Sequence, residues 1–242
     1  MIRLPLLGEA TDAPFPPPQH ALREPNGLLA FGGDLSPGRL VRAYASGIFP
    51  WYSAGEPILW WSPDPRMVVR PTALHLSRRF RRSLRACPWT VSINRDFAAV
   101  IHHCAALPRP GQGGTWITPE MTAAYVELHR LGWAHSVEVR EGEELVGGIY
   151  GVGIGRAFFG ESMFSRRSGT SKLAIAALCR ALTEQGVELL DGQVESGHLA
   201  TLGFAPIPRR DFLAQLEALC KPATPLRLSE SDIEALQPER MT

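Results

Sequence analysis

No stretch of this sequence approaches the ~18–20 consecutive apolar residues that a membrane-spanning helix needs. The apolar part of residues 1–9 is too short for a secretory signal. Neither sign of charge dominates: 25 Lys and Arg face 24 Asp and Glu, leaving +1. Bulk charge therefore points neither to a nucleic-acid binder nor to an acidic tail. The four cysteines, Cys87, Cys104, Cys179 and Cys220, show no Cys-x-x-Cys spacing. A reduced, cytoplasmic protein with no membrane association is expected. His102-His103-Cys104 has no second ligand pair at zinc spacing, so no metal is expected. The Gly-Lys-Ser/Thr order of a phosphate-binding loop is absent. Ser162 lacks the closing glycine of a nucleophile elbow and has no visible His-Asp pairing, which argues against a serine hydrolase.

What is present is an ordinary globular composition: 242 residues, 45% hydrophobic and 20% charged. That length fits one large domain, or one domain with a smaller companion. Residues 1–65 are rich in Pro, Gly and Trp. Within them Ser36-Pro37 opens a short helix whose apolar face is Leu40, Ala43 and Tyr44, and Gly47 ends it. Ser62-Pro63-Asp64-Pro65 reads as a linker, which divides the chain into 1–64 and 65–242. Strands are expected at 67–69 and 89–93, and helices at 77–85, 96–106 and 118–131. From residue 134 onward, strands at 135–140, 145–154 and 156–164 form a meander. A helix at 170–185, a strand at 187–194, a helical turn at 198–202 and a last helix at 210–219 follow. This order predicts a mixed α/β (α+β) fold with one crossover.

The most informative stretch is Phe158-Phe159-Gly160-Glu161-Ser162-Met163-Phe164. A lone carboxylate in a greasy strand is costly unless paired or used. Leu189-Leu190-Asp191-Gly192-Gln193-Val194 repeats the pattern. In regular strands Asp191 and Gln193 share one face, and Glu161 shares its own with Phe159 and Met163. Neighbouring strands would bring the three polar groups together, either as a site or as a buried network that fixes register.

Two other features stand out. Arg78, Arg79, Arg81, Arg82 and Arg85 fall within eight positions of one helix. They are either a solvated face or a contact for a polyanion. Trp51, Trp60, Trp61 and Trp116 sit beside turn residues, as lids on a small core or as platforms for bases. The 166–171 string, Arg-Arg-Ser-Gly-Thr-Ser, is one residue from the pyrophosphate loop of acetyl-CoA acetyltransferases, or an ordinary helix start.

Taken together, several strings resemble the leucyl/phenylalanyl-tRNA–protein transferase family. They are Phe49-Pro50-Trp51, Trp60-Trp61-Ser62-Pro63-Asp64-Pro65-Arg66, Gly114-Thr115-Trp116-Ile117-Thr118, Gly147-Gly148-Ile149-Tyr150-Gly151, residues 159–165 and residues 191–194. The likeness runs from about residue 27 to 213. It implies a small N-terminal domain and an acetyltransferase-like catalytic domain. The implied activity moves Leu or Phe, and Met less well, from aminoacyl-tRNA to proteins with N-terminal Arg or Lys, marking them for degradation by the N-end rule. No cofactor is implied, and a monomer is expected. By the same resemblance Trp51 and Trp116 hold the terminal adenosine. Ile149, Phe158, Met163, Ile175, Leu178 and Leu182, with Ser171 nearby, form the aminoacyl pocket. Glu161, Asp191 and Gln193 form the polar centre, and the five arginines meet the acceptor stem.

In the mechanism expected from these residues, Asp191 polarises Gln193, which accepts a hydrogen bond from the attacking amine. Glu161 orients the amine or reads the acceptor's cationic side chain. The rival leaves proton transfer to the tRNA's own ribose hydroxyl. An acetyl-CoA-dependent N-acetyltransferase and a non-catalytic RNA-binding module are the alternatives. For Phe158 and Met163 to serve one pocket, the strand needs a bulge near Gly160.

Overall fold

The computed structural model describes residues 4–8, 10–85, 87–106 and 116–229. Gly114 and Thr115 of the tryptophan motif lie outside them. The chain begins with β1 (Leu6–Leu7), β2 (Leu28–Gly32), α1 (Pro37–Ala45), β3 (Phe49–Pro50) and β4 (Leu59–Trp61). These strands make a small sheet in the order β1-β2-β4-β3. Pro37 in the first turn starts α1, and Gly47, at φ 73°, turns the chain away after it. Ser36 is the N-cap residue, but its hydroxyl makes no capping bond; its own N–H donates to Asp34.

Next come β5 (Arg66–Val69), α2 (Arg78–Leu84), β6 (Trp89–Ile93), α3 (Phe97–Ala106) and α4 (Pro119–Arg130). The meander β7 (Ala134–Glu141), β8 (Glu144–Ile154) and β9 (Ala157–Ser165) follows, then α5 (Thr170–Glu184), β10 (Leu189–Asp191), α6 (Gly197–Thr201), β11 (Ala205–Ile207) and α7 (Arg209–Leu219). The second sheet has the order β11-β5-β10-β9-β8-β7-β6. β7, β8 and β9 pair antiparallel, and α5 carries the chain across to β10, which pairs parallel to β9. The mixed α/β fold is as the sequence predicts, but the one crossover expected is joined by a second: α6 carries the chain from β10 past β5 to β11. Two core clusters separate at this sheet: one takes α3, α4 and Phe159, the other takes α5 and Phe158.

Three local features differ from or sharpen the expectation. First, β10 stops at Asp191 instead of running to Val194, because Gln193 adopts a left-handed backbone with φ 63°. A face shared by strand parity between Asp191 and Gln193 is therefore not how these residues meet. Second, β5 inserts antiparallel between β10 and β11, which sets Val68 opposite Asp191. Third, the β8–β9 register slips, pairing Tyr150 with Ser162 but Gly151 with Gly160. Glu161 is the extra residue, so the expected bulge is present. It brings Phe158 and Met163 to the same cluster on the α5 side. Gly151 permits this: a Cβ there would lie 2.2 Å from the Phe159 carbonyl and 2.5 Å from the Phe158 ring.

Candidate active site

Beyond their three-residue pairing, β9 and β10 end in a bulge and a left-handed turn, so their side chains converge instead of alternating. Gln193 Nε2 donates to Glu161 Oε1 at 2.8 Å. The same oxygen accepts from Tyr44 Oη at 2.7 Å, and Oε2 accepts from Tyr125 Oη at 3.1 Å. Tyr44 and Tyr125 also touch each other through their hydroxyls. Both tyrosines are fully buried. Tyr44 comes from α1 and Tyr125 from α4, so the carboxylate is gripped by elements far apart in sequence.

Burial, as the largest cause, pushes the Glu161 carboxyl up to about 7. The three donors pull it down, and the nearby Asp191 charge pushes it up further. Burial, and after it the Glu161 charge, hold Tyr44 and Tyr125 well above the ordinary phenol range. Both therefore stay protonated donors at neutral pH.

Asp191 is fully buried and bound by a residue the sequence reading did not single out. Arg66 donates to it twice, Nε to Oδ1 at 2.9 Å and Nη2 to Oδ2 at 2.6 Å. The guanidinium lies over the rings of Phe49, at 4.9 Å, and Phe212, at 4.6 Å, and its Nη1 donates to the Gly47 carbonyl. The pair is buried on both sides, 0% and 1% exposed, so each charge answers the other where solvent screens little. Asp191 Oδ1 also accepts the Gln193 backbone N–H at 2.8 Å. The expected contact of Asp191 with the Gln193 side-chain amide is therefore not made. Asp191 positions Gln193 through its backbone, and Glu161 binds the amide. The reason is the turn: φ 63° at Gln193 directs the N–H back to Asp191 and the side chain across to β9.

Two cavities meet at this network. The first, about 220 Å³, is lined by Ile149, Met163, Ile175, Leu190, Leu199 and Phe204, with Glu161, Asp191, Ser162, Ser196 and His198 as its polar parts. Sites for drug-sized ligands run to ~300–1,000 Å³, so this one suits a single side chain. The second, about 180 Å³, is lined by Phe49, Pro50, Trp51, Trp116, Gln193 and Val194. Glu161 and Gly192 belong to both.

Of the expected apolar pocket, Ile149, Met163 and Ile175 thus line the first cavity. Phe158, Leu178 and Leu182 do not; they are core residues of the same cluster, almost wholly buried. Ser171, half-buried in the first turn of α5, lines neither cavity. Trp51 and Trp116 are brought together, 65 residues apart in sequence. Arg78, Arg79, Arg81, Arg82 and Arg85 are all exposed, while Phe80 and Leu84 seat α2 against the core. Arg166 and Arg167, in the loop likened to a pyrophosphate site, pair with Glu144 and Glu141.

Tyr44, Tyr125 and Arg66 are functional candidates that local reading missed. Tyr44 sits on an apolar helix face and reads as core. Tyr125 reads the same way. The one available signal was energetic: a buried carboxylate requires donors, and an arginine heading a buried strand requires an acid.

Residues 68–217 match the family model described as leucyl/phenylalanyl-tRNA protein transferase, and residues 33–64 match that of its N-terminal domain. A leucyl/phenylalanyl-tRNA–protein transferase of Xanthomonas euvesicatoria pv. vesicatoria is 62% identical over 212 residues, 88% of this chain and 85% of the relative. One from Xylella fastidiosa strain M23 is 60% identical over 214 residues, 88% of each chain. Among solved structures, a GCN5-related N-acetyltransferase from Kribbella flavida aligns at a TM-score of 0.37 and 15% identity, covering 66% of this chain and 56% of that one.

Proposed function

The chain belongs to the leucyl/phenylalanyl-tRNA–protein transferase family and is an aminoacyltransferase, and we propose that it moves Leu or Phe, and Met less well, from aminoacyl-tRNA onto N-terminal Arg or Lys. The product enters degradation by the N-end rule. One observation carries the reading. An apolar cavity of side-chain size and a tryptophan-walled cavity share a single wall, and the acid–amide pair Glu161–Gln193 stands on it. The transferred side chain occupies the first cavity. The terminal adenosine stacks between Trp51 and Trp116, at ~1–3 kcal/mol per stacked base. The ester carbonyl then lies over Glu161 and Gln193.

The reaction joins the acceptor α-nitrogen to the ester carbonyl carbon and breaks the bond from that carbon to the ribose oxygen. One proton leaves nitrogen and one is gained by the ribose oxygen. An α-amine with a reference pKa of about 7.7–8.0 is partly neutral near pH 7, and the ester is already activated, so positioning supplies much of the rate gain. Gln193 gives its amide N–H to Glu161 and turns its carbonyl to the amine. Glu161, poised near neutrality, receives the proton. Arg66 and Asp191 fix the turn that holds Gln193.

The four arginines of α2, with Arg85 just after it, take the acceptor stem in this reading. The division into domains at residues 64 and 65, a monomeric state and a cytoplasmic location belong to the same proposal. The test is transfer of labelled Leu from charged tRNA to a peptide beginning with Arg, beside the same peptide with an acetylated N-terminus. Label in the free peptide alone supports the reading. Folded protein that labels neither rejects it.

A further inference from the structure

The oxygen atoms of Tyr44, Tyr125 and Glu161 form a closed triangle. Tyr44 reaches Oε1, Tyr125 reaches Oε2, and the two hydroxyls touch. Counting hydrogens gives the triangle a direction. With Glu161 ionised, two phenolic hydrogens serve three sides. With Glu161 protonated, three hydrogens serve three sides. Counting acceptors gives it an opening. A carboxylate has about four lone-pair sites. Among the described residues, Tyr44 and Gln193 occupy two on Oε1 and Tyr125 occupies one on Oε2. The remaining site is on Oε2, on a residue that lines both cavities.

We propose that Tyr44 and Tyr125 are positioning residues that make Glu161 a proton-holding unit, with the N-terminal helix α1 completing the catalytic centre from outside the large sheet. The inference rests on the reading of the site as a transferase centre. As the amine attacks, its proton moves to Oε2. The new O–H turns to Tyr125, the Tyr125 hydrogen turns to Tyr44, and Tyr44 keeps its bond to Oε1. Glu161 becomes neutral while the negative charge passes to the oxygen of the tetrahedral adduct; the stored proton then goes to the ribose oxygen as its bond to the adduct carbon breaks. Neither tyrosine touches substrate, because both are fully buried.

Other groups face this unit from neighbouring elements. From β10 comes Asp191, ion-paired with Arg66 of β5. From β8 comes Tyr150, edge-on to Tyr125 with ring centres 5.8 Å apart. From α6 comes His198, across the first cavity, with its pKa lowered by burial and by Lys172. The donors stabilise the ionised carboxyl more than ring closure stabilises the protonated one, because charge-assisted bonds are roughly twice as strong.

The experiment compares wild type with Tyr44→Phe and Tyr125→Phe by two readouts. Carbon-13 NMR of glutamate-labelled protein follows the Glu161 carboxyl, assigned by its loss in Glu161→Gln. Single-turnover transfer from Leu-tRNA to an Arg peptide gives the pH dependence of the chemical step. Each Phe variant is expected to move both the titration and the acid limb upward together by about one pH unit, as loss of one charge-assisted bond changes an ionisation constant roughly tenfold. The amine's own titration is common to all three proteins and cancels. A Glu161 titration unmoved in both folded variants overturns the proposal, as does a moved titration with an unmoved acid limb. A wild type that titrates near neutrality and transfers nothing at any pH overturns the transferase reading itself, and the proton-holding role with it.

Discussion

A carboxyl group raised in the folded state is also a statement about stability. Glu161 goes from a reference of 4.5 to about 7. The folded protein holds this proton more tightly than the unfolded chain does. The favourable contribution is therefore complete below pH 4.5 and is lost as pH rises through 7. Glu161→Gln has no such loss. Its stability relative to wild type should rise between pH 4 and pH 8 by on the order of 2–3 kcal/mol, read from urea unfolding at each pH. A difference independent of pH would show that Glu161 is not raised. Arg66 behaves differently, since removing it strands a buried charge on Asp191. Arg66→Met should cost about 3–5 kcal/mol, and adding Asp191→Asn should recover part of that cost. Equal and additive losses in a double-mutant cycle would mean that the two residues are not coupled.

At the scale of elements, the site depends on two interruptions of regular strand. The bulge at Glu161 and the left-handed turn at Gln193 aim both side chains at one point. Gly192 lies between them on the shared wall of the cavities. A Cβ there would fall 2.7 Å from Leu199 Cδ1 and 3.0 Å from Phe204. Leu199 is flexible and lines the first cavity, so Gly192→Ala should fold but push Leu199 inward. Transfer of Phe should fall more than transfer of Leu, seen as a larger drop in kcat/KM. An equal drop for both would place the damage elsewhere. The bulge follows from placing Phe158 and Met163 on one side of the strand against its parity, although only Met163 lines the cavity and Phe158 packs in the core behind it. The turn was not legible in the sequence, because Leu189 to Val194 reads as a continuous strand; what ends it is the local bond from the Gln193 N–H to Asp191, whose carboxylate is fixed by the distant Arg66. Periodicity does report the apolar faces of α1 and α4. It is silent on which tyrosine hydroxyl finds a carboxylate 117 residues away.

Across the whole molecule, the small sheet and the large one share the polar centre. Tyr44 of α1, Gly47 after it and Phe49 of β3 come from the small sheet's side, and Glu161 of β9, Asp191 of β10 and Gln193 just beyond it from the large sheet's. The division at 64 and 65 was suggested by two prolines, but the dependence of one part on the other was not, since it lies in long-range pairs. The exposed arginines of α2 act at this scale as well, as a charged patch on a nearly neutral protein. Replacing Arg78, Arg79 and Arg82 with Gln should leave stability nearly unchanged. It should weaken tRNA binding and flatten the log-affinity against log-salt slope by about one for each phosphate that is no longer neutralised. An unchanged slope would remove α2 from the tRNA interface. The most direct test of the account is single-turnover transfer of labelled Leu from charged tRNA to an N-terminal Arg peptide, by wild type and by Glu161→Gln at pH 7. The account predicts transfer by the wild type and a loss of at least ~10²-fold in the variant, the range of a lost general base, with tRNA binding intact. Folded variant protein that transfers at the wild-type rate would contradict it.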